Sequence, residues 1–454
     1  MIPERFFERM KPWLGASMDD FRTALTEGEA RHAFRLCGDA GDEHLRALAA
    51  YRPQKIPYTP RGYYYEGEKI GNTPLHHAGG IYVQDPGAMT ALSAVALRRG
   101  MRVADLCAAP GGKSSQAADV IGEEGILLAN EYVPARARIT VGNFERLGLR
   151  SALVTSVDTS VLAGWYDGMF DLVICDAPCS GEGMFRKTAL AVEGWSEENI
   201  RSCAARQAEI LDNAAGLTAP GGCLLYSTCT YAPEENEETV AAFLARHPGY
   251  TLIPPQDAIL PYTAPGVPVK GLPHPEYCRR FYPHIAPGEG QFVAVLQRED
   301  DSKKGRILYK SAALPLDKTT ETTVRAFLND TVTSALSLPL CRAGDRVTVW
   351  DGAHPLPPRS LFCAGVQVGE VKGRTFLPHH QFFRAYGTAF LRRLDLSEDD
   401  PRLLSYLRGE QIPAPELSSG YAAVLYRGIP LGGGKVSGGV LNNRYPKGLR
   451  LPPL

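Results

Sequence analysis

An α/β fold, Rossmann-like and built on a mostly parallel sheet, is predicted for the middle of this chain on three observations. Between Val103 and Arg246, short apolar runs of strand length alternate with longer amphipathic runs of helix length. Strands joined by covering helices give that pattern. At Val103–Lys113 a strand-like run enters a glycine turn and then a helix, a junction that brings backbone close to a ligand. Two further strand-like runs, Tyr250–Ile253 and Gly290–Leu296, follow the last helix and fit an antiparallel finish.

The elements follow in order. Residues 1 to about 50 read as helical, with Phe6, Phe7, Met10, Leu14, Phe21 and Leu25 as an apolar stripe. Ser17-Met-Asp-Asp supplies a helix start. Residues 51–80 are rich in Tyr, Pro and Gly and read as strands and turns. Residues 86–100 read as a short helix ended by Gly100. In the alternating region the strands are 103–106, 126–130, 152–155, 172–175 and 222–227, and the helices are 113–121, 136–147, 200–217 and 235–246. Arg298–Gly305 is charged and polar and reads as a linker. Mixed strands and helix are expected to about 385, then short strands with many Gly and Pro to 454. The domain limits expected are 1–79 (an RNA-binding extension), 80–299, 300–385 and 386–454.

At 454 residues the chain exceeds one ordinary core. The composition is globular, 44% hydrophobic and 22% charged, and the net charge of −1 gives no global basic signal, so any nucleic-acid surface must be local. No run of 18 apolar residues appears, so no membrane span is expected. Ten cysteines are scattered without repeated short pairs. No metal site is therefore expected, and the reducing cytoplasm is the simplest compartment.

Asp105-Leu-Cys-Ala-Ala-Pro-Gly-Gly-Lys113 is neither a P-loop nor a dinucleotide fingerprint by its glycine spacing. Gly111 and Gly112 permit a tight bend, and the helix beyond offers free N–H groups to an anion. Lys113 stands at that helix start, where the dipole disfavours a cation, which favours a functional role. The next strand ends in Asn130-Glu131, a carboxylate placed for ribose hydroxyls. Asp158, past the third strand, is placed for an adenine amino group. Taken singly, Glu131 and Asp158 read as ordinary helix or turn residues; with the loop, the three strand ends suggest S-adenosylmethionine.

Two apolar runs close on thiols: Asp176-Ala-Pro-Cys179-Ser-Gly-Glu-Gly-Met-Phe-Arg-Lys187 and Tyr226-Ser-Thr-Cys229-Thr-Tyr. A thiolate added to carbon 6 of cytosine makes carbon 5 nucleophilic enough to take a methyl group. That chemistry needs a lowered thiol pKa or a nearby base, and a group such as Asp176 to hold the base and favour protonation at N3. Most free cysteines are buried packing groups; Cys175, Cys203 and Cys223 are read that way. His284 is read as a packing or hydrogen-bonded residue.

These blocks, with Arg279-Arg-Phe-Tyr-Pro-His284 and the following Gly-Glu-Gly-Gln-Phe-Val-Ala, resemble the signature of the Sun (NSUN-like) RNA cytosine-5 methyltransferases. Leu431-Gly-Gly-Gly-Lys435, Leu441–Arg450, Tyr406–Glu410 and Ile81–Met89 resemble the RsmF-type branch. The resemblance implies a class I methyltransferase core with a seven-stranded sheet, an N-terminal extension, and C-terminal ferredoxin-like and PUA-like pieces. It implies Cys229 as nucleophile and Cys179 as the thiol assisting release. It carries cofactor roles onto Cys107, Ala108, Ala109, Pro110, Gly111, Gly112 and Lys113, and onto Glu131, Asp158 and Asp176, with Arg136 also matching. The implied cofactor is S-adenosylmethionine, and the implied partners are ribosomal RNA and the small ribosomal subunit, the substrate being 16S ribosomal RNA.

Arg427, Lys435, Arg444, Lys447 and Arg450, interleaved with Tyr421, Tyr426 and Tyr445, form a basic aromatic tail suited to RNA, or else a solvated basic face. Three alternatives stay open: transfer RNA as substrate, a DNA enzyme using Cys179 as nucleophile, and a non-catalytic ribosome-assembly protein that keeps the fold.

Overall fold

The computed structural model describes residues 1–301, 304–334, 336–350, 354–373 and 375–452. Seven strands form the central sheet: β1 (Arg102–Asp105), β2 (Ile126–Asn130), β3 (Ala152–Thr155), β4 (Phe170–Asp176), β5 (Thr218–Thr228), β6 (Tyr250–Ile253) and β7 (Gln291–Arg298). Their order is β3-β2-β1-β4-β5-β7, with β6 on the outer edge of β7. The first five pair in parallel. β7 runs antiparallel to β5 and to β6, which is the antiparallel finish expected. Leu361–Ala364 on β3, Arg279–Phe281 on β7, and Ala264–Pro265 beyond that extend the seven to ten.

The middle of each parallel strand is apolar because both its faces are covered, and polar residues fall mainly toward the ends. Val103, Leu127, Leu172 and Ile174 enter one core, while Ala104, Leu128, Val173 and Cys175 enter the other. Helices α1 (Gly112–Ile121), α2 (Pro134–Leu147), α3 (Glu197–Leu217) and α4 (Glu237–Arg246) connect the strands. Sequence sets their limits. α2 begins on Pro134 and ends at Gly148 in the left-handed region. α3 begins where Ser196 accepts from Asn199 N at 3.0 Å, with Glu197 and Glu198 in its first turn.

The N-terminal fifty residues are not all helical. Helices Glu4–Leu14 and Met18–Thr26 are followed by a strand, His32–Leu36. It pairs with Gly62–Tyr65 on one side and Ile81–Val83 on the other, so this four-stranded sheet runs past residue 79. Ala33 faces the α/β core while Phe34 and Leu36 face the C-terminal strands. With both faces buried, its alternation in polarity is lost, which hides the strand. The helix expected over 86–100 stops at Ser93, and the Ala94 carbonyl accepts from Gln256 N at 3.0 Å instead.

Of the proposed linker Arg298–Gly305, residues 302 and 303 lie outside those described. Beyond it, helix Lys318–Thr331 and a four-stranded antiparallel sheet precede a five-stranded sheet that spans Arg393 to Asn443. That last sheet shares a core with the N-terminal one: Phe34, Leu36 and Ile81 pack in one cluster with Leu394, Tyr406 and Leu431.

Candidate active site

The sequence-predicted residues gather at the C-terminal ends of β1 to β5, the edge where open α/β sheets hold ligands. The chain leaves β1 at Asp105, crosses Leu106–Pro110 and enters α1 from Gly111 at φ 105°. Gly111 is required there, since φ in that region strains any side chain. The loop is tied down on all sides. Leu106 N donates to Ile174 O and Ala108 N to Asn130 O, both at 2.9 Å. Arg136 donates to Ala109 O at 3.1 Å and Asn143 to Pro110 O at 2.9 Å.

Glu131 is buried, accepts from Val133 N at 3.0 Å, and pairs with Arg136 at 3.4 Å. Asp158 is exposed and caps the helix Thr159–Ala163, accepting from Ser160 N at 2.9 Å. The ordinary turn role thus holds for Asp158 alongside its place on the third strand-end loop. Sequence reasoning gave no role to Asn130, which joins all three loops. Its amide donates to Leu106 O and Val157 O, and its oxygen accepts from Thr155 Oγ1 and Val157 N. A buried Asn with every group satisfied fixes strand ends relative to one another.

Asp105 is fully buried and accepts from Ser114 Oγ at 2.5 Å. Burial pushes its carboxyl up to about 7, opposed by the Ser114 bond and aided by the charge of Asp176. Asp176, the last residue of β4, pairs with Lys113 Nζ at 2.8 Å. Its other oxygen accepts from Ser227 Oγ at 2.7 Å and Gln291 Nε2 at 3.4 Å. Lys113 is only 9% exposed. Burial, the largest single effect, disfavours its charge, but Asp176 together with its acidic neighbours more than offsets it and holds the Lys113 pKa above the usual lysine value. It therefore stays an ammonium.

Cys179 Sγ and Cys229 Sγ stand 3.3 Å apart, both free thiols and both partly exposed. The contact with Cys229, reinforced by burial, pushes the Cys179 thiol well above the ordinary range. Either sulfur can be the donor of the pair. Two carboxylates staple the cysteine loops. Glu182 accepts from Thr230 Oγ1 and Tyr231 N, both at 3.0 Å, and Glu235 accepts from Ser180 N at 3.0 Å. Neither could be singled out from sequence, because their partners lie 48 to 55 residues away.

Cys175 and Cys203 are buried as expected, and Cys223 is half-buried. His284 packs edge-on to Phe21 at 5.6 Å. The two N-terminal helices cover the cysteine loops: Phe6 meets Phe185 at 5.1 Å and Phe21 meets Tyr231 at 5.1 Å. In the C-terminal tail, Tyr426 and Tyr445 are buried, which withdraws them from the stacking role expected. Tyr421 stays accessible, with Lys435 and Arg444 at 5.7 and 5.4 Å from its ring. Among the described residues there is no cluster suited to a metal ion, and no helix is long and apolar enough to cross a membrane.

A model of the 16S rRNA methyltransferase RsmB/F family matches residues 92–297. Models of the RsmF N-terminal domain and of the methyltransferase RsmF PUA domain match 2–86 and 393–451. The ribosomal RNA small subunit methyltransferase F of Klebsiella pneumoniae is 30% identical over 481 residues, covering 99% of this chain and 96% of that protein. Its namesake in Cronobacter sakazakii is 29% identical over 470 residues, with 99% and 96% covered. A crystal structure of a methyltransferase homologue from Pyrococcus horikoshii superposes with a TM-score of 0.56 at 26% identity, covering 65% of this chain and 95% of that one.

Proposed function

The chain belongs to the 16S rRNA methyltransferase RsmB/F family, and from that premise we propose that it forms 5-methylcytosine in small-subunit ribosomal RNA, with S-adenosylmethionine as donor and Cys229 as nucleophile. The observation that carries this reading is the pair of sulfurs 3.3 Å apart, at strand ends beside the Lys113–Asp176 ion pair. In the alternative Cys179 is the nucleophile; the resemblance of the Tyr226-Ser-Thr-Cys229-Thr-Tyr block to the RNA cytosine-5 methyltransferases favours Cys229.

The donor set fits S-adenosylmethionine. A buried carboxylate, Glu131, stands at the second strand end for a ribose diol. Gly111 and Gly112 open the α1 N-terminus, without a side-chain cap, to an amino-acid carboxylate. The bound donor would supply an electrophilic methyl on a sulfonium. The chain's own residues do the rest. The Lys113 ammonium lies within electrostatic range of Cys229. The Cys229 thiolate adds to C6 and the C5=C6 electron pair moves to C5, which becomes the nucleophile toward the methyl group, whose bond to the donor sulfur would break with its electron pair left on that sulfur. Asp176, aimed by Ser227 and Gln291, accepts from the exocyclic amine and from N3–H, which favours protonation of the ring at N3. Release then breaks the C5–H bond, with the proton passing to solvent. The electrons restore the double bond, and Cys229 departs with the C6–S pair. The Cys179 S–H donates to the departing sulfur and eases that last step.

Bisulfite sequencing of ribosomal and transfer RNA, from cells with the gene and without it, tests the substrate. Loss of a 5-methylcytosine from small-subunit RNA is expected. Loss confined to transfer RNA would move the chemistry to that substrate, and unchanged RNA would end the proposal. Cys229→Ala protein should show no methyl transfer. Cys179→Ala protein should accumulate an RNA complex that survives denaturant.

A further inference from the structure

We infer that the adjacent residues Glu235 and Asn236 position the two sulfurs separately, one residue for each cysteine loop, and so govern different steps of the reaction. This inference rests on the reading of Cys229 as nucleophile and Cys179 as release group.

Both residues are fully buried, where the chain turns from Pro233–Glu235 into α4. Glu235 Oε2 accepts from Ser180 N at 3.0 Å and from Gln207 Nε2 at 2.8 Å. The same Gln207 amide donates to Pro178 O at 3.0 Å. The peptide groups on both sides of Cys179 therefore hang from one carboxylate–amide pair. Tyr226 braces that pair from behind, its hydroxyl lying 3.0 Å from Gln207 Oε1 and 2.5 Å from Glu235 O. Asn236 serves the other loop. Its oxygen accepts from Thr228 Oγ1 at 2.6 Å, and its amide donates to Thr230 O at 3.0 Å. Those are the residues on either side of Cys229.

Neither side chain is near enough to the reacting atoms by these contacts to count as catalytic; each acts through the backbone that carries a sulfur. Buried bonds of this kind, charge-assisted where the Glu235 carboxyl is ionised and neutral at Asn236, hold a backbone far more stiffly than solvent-exposed ones. A misplacement near 1 Å at a reacting group costs on the order of a hundredfold in rate. Loosening the Cys179 loop should therefore stall the departure of Cys229, whereas loosening the Cys229 loop should slow its attack. A role in folding alone would lower both steps together.

The test uses the full chain with substrate RNA and S-adenosylmethionine. Denaturant-resistant enzyme–RNA complex and transferred methyl are both followed with time. Glu235→Ala should trap complex as Cys179→Ala does, on the order of tenfold or more above the unmodified protein. Gln207→Met, which removes the same hold on Pro178, should do likewise and decides the matter if Glu235→Ala fails to fold. Glu235→Gln keeps an acceptor for Ser180 N and should restore turnover. Asn236→Ala should lower complex formation and methyl transfer by one common factor per folded molecule, counted by stoichiometric S-adenosylmethionine binding, without trapping complex; a loss that disappears on that count would be a folding effect and would overturn the Asn236 half of the inference. The inference is overturned if Glu235→Ala and Gln207→Met slow attack and release alike, or if Asn236→Ala traps complex. If instead Cys229→Ala protein still methylates, the underlying reading falls first, whatever the positioning variants do.

Discussion

At the scale of the residue, the site works by charges that cannot relax. Lys113 keeps its proton although buried, because Asp176 is 2.8 Å away. Lys113→Met should lower kcat about a hundredfold, in line with the loss of one preorganised electrostatic partner, with little change in KM for RNA; steady-state methyl transfer checks it. Asp105 makes a pH prediction. Its folded pKa is raised from 3.8 to about 7, so the native state holds a proton that the unfolded chain gives up. Its contribution is full below the unfolded value and is lost as pH rises through the folded one. Asp105→Asn should thus reduce the fall in unfolding free energy between about pH 4 and pH 7, measured by urea titration across that window. Glu235 is also raised to about 7, so the slope should shrink and not vanish. The thiols, the glycine turn, Glu131 and Asp176 are legible in sequence because each sits in a short contiguous string at a strand end. Asn130, Gln291 and Glu235 are not, because their value lies in partners brought near only by the sheet.

At the scale of the element, the N-terminal helix pair serves as a cover for the cysteine loops. Phe21 is fully buried against Tyr231 and Tyr282, and Arg186 donates to Ala24 O at 3.1 Å. Phe21→Ala should cost about 3–5 kcal/mol locally. Amide exchange should then quicken in residues 180–187 and 229–236 while the C-terminal sheet stays protected. The apolar stripe of these helices is readable at helical period, since one face alone is buried. The strand His32–Leu36 that follows is unreadable for the opposite reason, as two different cores take its two faces.

At the scale of the whole molecule, the chain's pieces are interlocked. Leu361–Ala364 extends the central sheet by pairing with β3. The buried Arg384 donates to Arg146 O and Ala78 O, joining three regions far apart in sequence. Sequence marks such regions by composition and linker polarity, but carries no sign of which faces will meet. RNA affinity is accordingly best probed without cutting the tail, whose removal would uncover Phe34, Leu36 and Ile81. Lys435→Ala with Arg444→Ala leaves the fold intact and removes two exposed cations beside Tyr421. The log–log salt slope of ribosomal RNA binding should flatten by roughly 0.7–0.9 for each phosphate no longer neutralised; an unchanged slope would take this face off the RNA.

The cluster uniting Phe34 and Ile81 with Leu394 and Leu431 also imposes an order on synthesis. The sheet translated first has nothing to lean its outer face on until strands made more than three hundred residues later emerge. A nascent chain must therefore carry an uncovered greasy surface for most of its time on the ribosome. Such distant pairing slows folding and lengthens the time that surface is open to aggregation.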